Sequence, residues 1–219
     1  VCAGAGGLCA DHAGPVLTVA RLVVLGALTG AIIGSFIATL LIRWPEGRSI
    51  VQGRSACDGC AEPLSWRELV PVASFLVQRG RCRACGSAIA PLHLRIELAS
   101  ATIGAAALYV APSPSGGALA LLGWQLLTLA MLDARQMWLP HRLSALLAAS
   151  GLAFGGMAMD AVGMTVALAD RAIGMLAGFA LLWLIASAYR LLRGRSGMGG
   201  GDAPMLGAIG AWTGWMLLP

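Results

Sequence analysis

The chain has 219 residues, of which 58% are hydrophobic and 11% charged, and its net charge is +5. Its mean hydropathy is +0.79. Soluble domains carry about 25% charged residues, so this composition excludes an ordinary soluble domain and predicts a polytopic membrane protein. All fifteen basic residues are arginine. Set beside apolar stretches, they read as topology signals and anionic-lipid contacts rather than as a nucleic-acid surface.

No basic region followed by an apolar run precedes residue 16, so no cleavable signal peptide is expected there. Six apolar stretches follow, at 16–42, 96–111, 118–132, 143–159, 172–189 and 203–218. They predict an all-α fold of about six transmembrane helices, although several are short for a hydrocarbon core of about 30 Å. Pro112–Gly117 is a turn cluster between the second and third. The one long polar stretch, 43–95, contains tryptophan, cysteines and its own apolar residues, which makes it a small domain rather than a linker. The predicted organisation is an N-terminal segment 1–15, a first span 16–42, a cysteine domain 43–95 and a membrane core 96–219.

The arginines orient this arrangement. Placing 43–95 in the cytoplasm puts Arg43, Arg48, Arg54, Arg67, Arg79, Arg81, Arg83 and Arg95 inside. Alternation then adds Arg135, Arg142, Arg190, Arg193 and Arg195, and leaves only Arg21 and Arg171 on the other side. Such a bias is a strong positive-inside signal. It places the N-terminus outside and brings Asp133 and Asp202 to the same cytoplasmic boundary.

Cys57-Asp-Gly-Cys60 and Cys82-Arg-Ala-Cys85 are two C-x2-C knuckles. Together they can supply four thiolates to a tetrahedral zinc at about 2.3 Å, a structural site with no open position for catalysis. Gly59 and Gly86 stand where the knuckle turns are expected to need glycine. Two redox pairs or two disulfides are the other readings. A reducing cytoplasm disfavours the disulfides, and neither pair has a thioredoxin-like context. Cys2 and Cys9 fall outside the membrane on this topology, where pairing and free thiols both stay open.

Asp133 and Asp202 are the candidate catalytic residues. A carboxylate held near the bilayer centre costs about 2.5–3.5 kcal/mol, so each asks for a purpose. Two carboxylates sharing a site cannot both ionise cheaply and hold one proton between them over a useful pH range. The ionised member can then take a proton from water while the protonated one donates to a scissile carbonyl. Gly199, Gly200 and Gly201 precede Asp202 and let a substrate backbone come close. The structural alternatives are an N-cap role for Asp202 and a solvated helix end for Asp133. His12, His93 and His141 have no obvious nucleophile beside them.

Taken in order, these segments resemble the prepilin peptidases, the type IV leader peptidase family of membrane aspartic proteases. The resemblance runs from about residue 30 onward. It rests on Gly34-Ser-Phe36 with Arg43-Trp-Pro45, Arg54-Ser-x-Cys57-x-x-Cys60, Arg79-Gly-Arg-Cys82-x-x-Cys85, Glu97-Leu98, Asp133-Ala-Arg135 with Leu139-Pro140, and Gly197-Met-Gly-Gly-Gly-Asp202. The resemblance implies cleavage of prepilin or pseudopilin leaders after a glycine, at the cytoplasmic face of the bacterial inner membrane, in the service of pilus or type II secretion assembly. It also implies methylation of the new N-terminus with S-adenosylmethionine by the cysteine-bearing region. Membrane lipids are expected partners and nucleic acid is not.

The chain departs from the family pattern at Ala38 (commonly Asn), at Leu69 after Glu68 (commonly Glu-Asn), at Pro204 (often Lys) and in ending at Pro219. The first two bear on methyl transfer. The last two bear on the peptidase and carry the alternative of a non-catalytic scaffold, while the first two carry that of a peptidase-only member.

Overall fold

The structure is a computed structural model and describes residues 13–49, 55–57, 59–137, 139–195, 197 and 199–218. Cys2, Cys9, His12 and Arg54 lie outside the described residues. Among the described residues seven helices follow one another: α1 Ala13–Arg43, α2 Ala73–Val77, α3 Pro91–Val110, α4 Pro114–Gln136, α5 His141–Ala161, α6 Leu168–Arg193 and α7 Asp202–Thr213. No strand forms among the described residues, only single bridges between Ala56 and Pro63 and between Arg81 and Ala88.

Among the described residues four helices, α1, α4, α5 and α6, are long and apolar enough to cross a membrane. The two remaining apolar stretches behave differently. In α3, Arg95 and Glu97 interrupt the apolar run, and the helix starts earlier than expected because Pro91 at its first position suits the helical backbone. The stretch 203–218 is not one helix. α7 has 12 residues, about 18 Å, and stops at Gly214, whose φ of +77° is open to glycine alone at no steric cost. A 3-10 turn, Trp215–Leu217, ends it. The turn after α3 is likewise tighter than Pro112–Gly117: α4 begins at Pro114, with Ser113 in the extended conformation before it.

Small residues hold the helices together. Gly26, Gly30 and Gly34 recur every fourth residue on α1 and press on Gly104, Ser100 and Glu97 of α3, an antiparallel pair in backbone contact. On the other side, Gly174 and Gly178 of α6 meet Gly210 and Gly207 of α7 in the same way. Gly151 and Gly155 of α5 receive Ala211 and Trp212 of α7. Trp212 is fully buried, and its indole N–H donates to Leu147 O at 2.9 Å. Arg171, also buried, ties α6 to α5 by donating from Nη1 to the carbonyls of Gly151 and Leu152 at 3.0 and 2.9 Å. Lipid offers no hydrophobic driving force between helices, so close van der Waals approach of this kind must supply the association.

These pairings fix directions. α1 runs against α3, α4 against α5 (Ser150 Oγ donates to Gln125 Oε1 at 2.8 Å), and α6 against α7, while α5 and α7 run parallel. The C-terminal ends of α1, α4 and α6 and the N-terminal ends of α3, α5 and α7 therefore share one end of the bundle, the end that carries the cysteine segment.

The same substitution should have opposite effects at two glycines. At Gly30 a Cβ would strike the Ser100 carbonyl, whereas at Gly117 in α4 it would meet open space. Gly30→Ala is expected to cost about 1–3 kcal/mol and Gly117→Ala to gain about 0.5–1 kcal/mol. Unfolding midpoints in detergent micelles check both signs.

Candidate functional site

Asp133 lies in the last turn of α4 and is exposed. Its carbonyl accepts the N–H of Met137 at 2.7 Å, and Met137 closes the helix in the left-handed conformation at φ 50°. Beside it, Leu132 is fully buried among Ile37, Ala38, Leu40, Leu41 and Ile96, which clamps the end of α4 onto α1 and α3.

Asp202 is the first residue of α7 rather than its N-cap, the position that Gly201 takes. Its carboxylate reaches backwards: the Gly199 N–H donates to Oδ2 at 3.0 Å, while the Asp202 N–H donates to Gly199 O at 3.3 Å. The glycine run is thereby folded over the side chain. The three glycines are not equivalent. A Cβ on Gly201 would strike Leu139, one on Gly199 would crowd the Asp202 carboxylate, and one on Gly200 would meet nothing.

The contact between Gly201 and Leu139 matters most. Leu139 belongs to the turn between α4 and α5, six residues beyond Asp133, so the loop that presents Asp202 rests on the turn that follows Asp133. Gln125 pairs with Ser150 farther along the same helices. Both aspartates stand at the cysteine end of the bundle. Pro204 falls in the first turn of α7, where a missing N–H removes no intrahelical bond.

The four cysteine sulfurs all lie within 4.8 Å of one another and could hold a metal ion. Sulfurs placed tetrahedrally about 2.3 Å from a zinc are about 3.8 Å apart, and Cys57 Sγ and Cys85 Sγ are separated by 3.8 Å. Each knuckle folds the same way: the Cys57 and Cys82 carbonyls accept from the N–H of Ala61 and Gly86, both at 2.9 Å. Those two positions carry the positive φ, 57° and 72°. Glycine is thus present where the second knuckle turns, as expected, but the first turns at Ala61, not Gly59. Gly59 serves instead as clearance for the Ser87 hydroxyl.

Ser87 lies 3.0 Å from Cys85 Sγ and 3.5 Å from Cys57 Sγ. Its hydroxyl, then the Gly59 amide, pulls the Cys57 thiol down to about 6, and Ser87 also holds Cys85 below the ordinary thiol range. Cys60 goes the other way, to about 12: the Glu62 amide favours its thiolate, but the Cys85 sulfur, burial and the other two cysteines outweigh it. Crowded sulfurs of this kind ionise together only around a cation.

Between the cysteine segment and α1 and α3 lies a cavity of about 410 Å³. Ser35, Thr39 and Arg43 of α1, Glu68, Ser74 and Gln78 of the cysteine segment, and His93 and Glu97 of α3 are among the residues that line it. Glu97 is buried and accepts the Val72 N–H on Oε2 at 2.8 Å. Val72 is the centre of a γ-turn of the rare sense, with φ 61° and ψ −53°, and the Ala73 N–H donates to Pro71 O at 2.6 Å. Such a conformation costs about 1–3 kcal/mol for a β-branched residue, comparable to the 1.5–3 kcal/mol or so of a hydrogen bond to a charged group. Glu97 holds the turn in place.

Sequence reasoning singled out the cysteines and aspartates but gave no site role to Ser87, Leu139 or Glu97. Glu97 was open to the argument applied to Asp133 and Asp202, being a carboxylate at the edge of an apolar stretch. Ala38, marked as a departure that touches methyl transfer, is fully buried in the apolar cluster around Leu132 and does not line the cavity. Leu69 does line it.

Comparison with known proteins matches two separate regions of the chain. Residues 28–111 match the Bacterial Peptidase A24 N-terminal domain, and residues 120–219 match the Type IV leader peptidase family. The chain is 38% identical over 200 residues to a prepilin leader peptidase/N-methyltransferase of Klebsiella pneumoniae, covering 88% of this chain and 85% of that one. A protein of the same description from Aeromonas hydrophila is 39% identical over 167 residues, 76% of this chain but only 56% of its own length. One from Pseudomonas aeruginosa is 30% identical over 216 residues, covering 88% and 73%. The chain thus spans little more than half the length of the Aeromonas relative. No solved structure matches it. With Asp133 and Asp202 inside one matched region and the four knuckle cysteines inside the other, the chain belongs to the type IV leader peptidase family.

Proposed function

We propose that this protein is an aspartic endopeptidase of the bacterial inner membrane that removes the leader from prepilin or pseudopilin substrates at the cytoplasmic face. Asp133 and Asp202 are its dyad. The observation that carries the reading is the seating of Gly201 on Leu139, which holds the Asp202 loop against the turn beyond Asp133. One carboxylate takes a proton from the attacking water and the other donates to the scissile carbonyl. The folded glycine run leaves Gly200 open on the side where an extended peptide would approach. In domain terms, 1–15 is the outer segment and 16–42 the first span. Residues 43–95 are the cytoplasmic cysteine domain and 96–219 the peptidase core, serving pilus or type II secretion assembly.

The cysteine quartet holds a structural zinc. Its sulfurs have the spacing that a tetrahedral ion requires, and four thiolates leave no open position for catalysis. The cavity beside it is the site of N-methylation. S-adenosylmethionine, when bound, supplies an electrophilic methyl group. Its volume suits a ligand of that size, and the Glu97 carboxylate is the buried anion that would face a cationic donor or the substrate's ammonium.

Asp133→Asn and Asp202→Asn should each lower leader cleavage by about 10²–10⁴-fold while membrane insertion is retained, as read from the size shift of a prepilin on gels. In the same assay Gly201→Ala should be severely impaired and Gly200→Ala close to wild type. Full cleavage by either asparagine variant would overturn the dyad, and a wild type that leaves the prepilin uncut would return the chain to the scaffold reading. Glu97→Gln keeps an acceptor for the Val72 N–H but loses the charge. It should leave cleavage intact and reduce methylation about 10–100-fold, measured by mass spectrometry of the mature N-terminus. Elemental analysis should find about one zinc per chain, lost together with folded yield in Cys82→Ser; a metal-free but fully folded wild type would refute the structural role.

A further inference from the structure

We propose that the segment from Trp66 to Val77 is a membrane-interface anchor whose outward face enters the headgroup boundary of anionic lipids beside α1. Its outward face is apolar. In α2 the residues Ala73, Leu76 and Val77, spaced as one helical face, are exposed, with Leu76 at 63% and Val77 at 71%. The polar Ser74 and Gln78 turn inward together with Phe75 and line the cavity. A helix that shows water its apolar face is misplaced, whereas one that shows it to lipid is not.

The preceding 3-10 turn, Trp66–Leu69, continues this surface. Side chains three apart eclipse in such a turn, so Trp66, 72% exposed, stands over Leu69 on the same face. Leu69 and Pro71 share a groove with Ile32 and Phe36 of α1. Both of those α1 residues are outward-facing on a helix apolar enough to cross a membrane. The anchor surface is therefore continuous with a lipid-facing one.

Depth supports the same placement. The Val72 N–H is bonded to Glu97, and Glu97 packs against Gly34. Gly34 lies nine residues before the end of α1 at Arg43, about 13 Å along the helix. The segment thus sits back along the shaft of α1 instead of beyond its tip. Its charges suit phosphate headgroups. The Arg67 guanidinium lies 5.2 Å above the Trp66 ring, and Arg79 and Arg81 follow, both exposed. Tryptophan with arginine at its edge is the composition of a membrane interface.

Trp66 is its own probe. The full chain, wild type or Trp66→Phe, is reconstituted into phosphatidylcholine vesicles with or without phosphatidylglycerol, and the fluorescence difference isolates Trp66. Lipids brominated near the headgroup end of the acyl chain should quench that difference strongly, lipids brominated at the chain end less, and aqueous iodide hardly at all. Phosphatidylglycerol should strengthen the lipid quenching, and Arg67→Gln/Arg79→Gln/Arg81→Gln should abolish that gain. Quenching by iodide but not by brominated lipid means a water-exposed face and overturns the proposal. Quenching by neither means that a protein partner or a second copy covers the face, and overturns it equally.

Discussion

Everything at the cysteine end depends on how closely the helix backbones approach one another farther down the bundle. In lipid, apolar side chains gain nothing by leaving their neighbours for each other, and only contact at short range distinguishes one helix pairing from another. Glycine gives that contact twice over, on the α1–α3 seam and on the α6–α7 seam. A shift of one residue on either seam would set a Cβ against a carbonyl. The direction and height of each helix end follow from this, and so does the placement of Asp202, whose short helix is gripped by both α5 and α6.

The two halves of the molecule use one helix in common. Near its end, α1 turns Ile37, Ala38 and Leu41 toward Leu132, the neighbour of Asp133, while Ser35, Thr39 and Ile42 line the cavity. Within α3, Glu97 touches Gly34 on one side and draws the cysteine segment in through Val72 on the other. The strain at Val72 has a structural consequence: it turns the chain between Pro71 and α2, so that Ser74, Phe75 and Gln78 of α2 line the cavity.

Much of this was legible in the sequence for a simple reason. Apolar length, arginine bias and C-x2-C spacing are one-dimensional signals that the chain must satisfy before it folds. The five long helices followed from the first, and the shared end of Asp133 and Asp202 from the second. What escaped was whatever depends on partners distant in sequence. The clearance of Gly201 over Leu139 and the support of Cys57 by Ser87 belong to that class. The break at Gly214 escaped for another reason, since an apolar run carries no mark of where a glycine will adopt positive φ. Gly59 was misread in the same way: spacing located the knuckle, but only the backbone shows that Ala61 takes the strained position.

On the proposed function, the shared use of α1 bears on the order of reactions. Cleavage at the aspartates creates the amine that the cavity would methylate, so the new N-terminus must travel from one to the other. The residues that separate the two places are one helix thick: Leu41 and Ala38 on the Asp133 side, Thr39 and Ile42 on the cavity side. A substrate held beside α1 has only the thickness of that helix to pass between the two places. Anchoring the cysteine segment at the interface would hold the second site at the level of the first. This gives the exposed apolar face of α2 a reason to exist, because a segment tethered only through α1 and α3 would be free to tilt away from the plane in which the substrate is held.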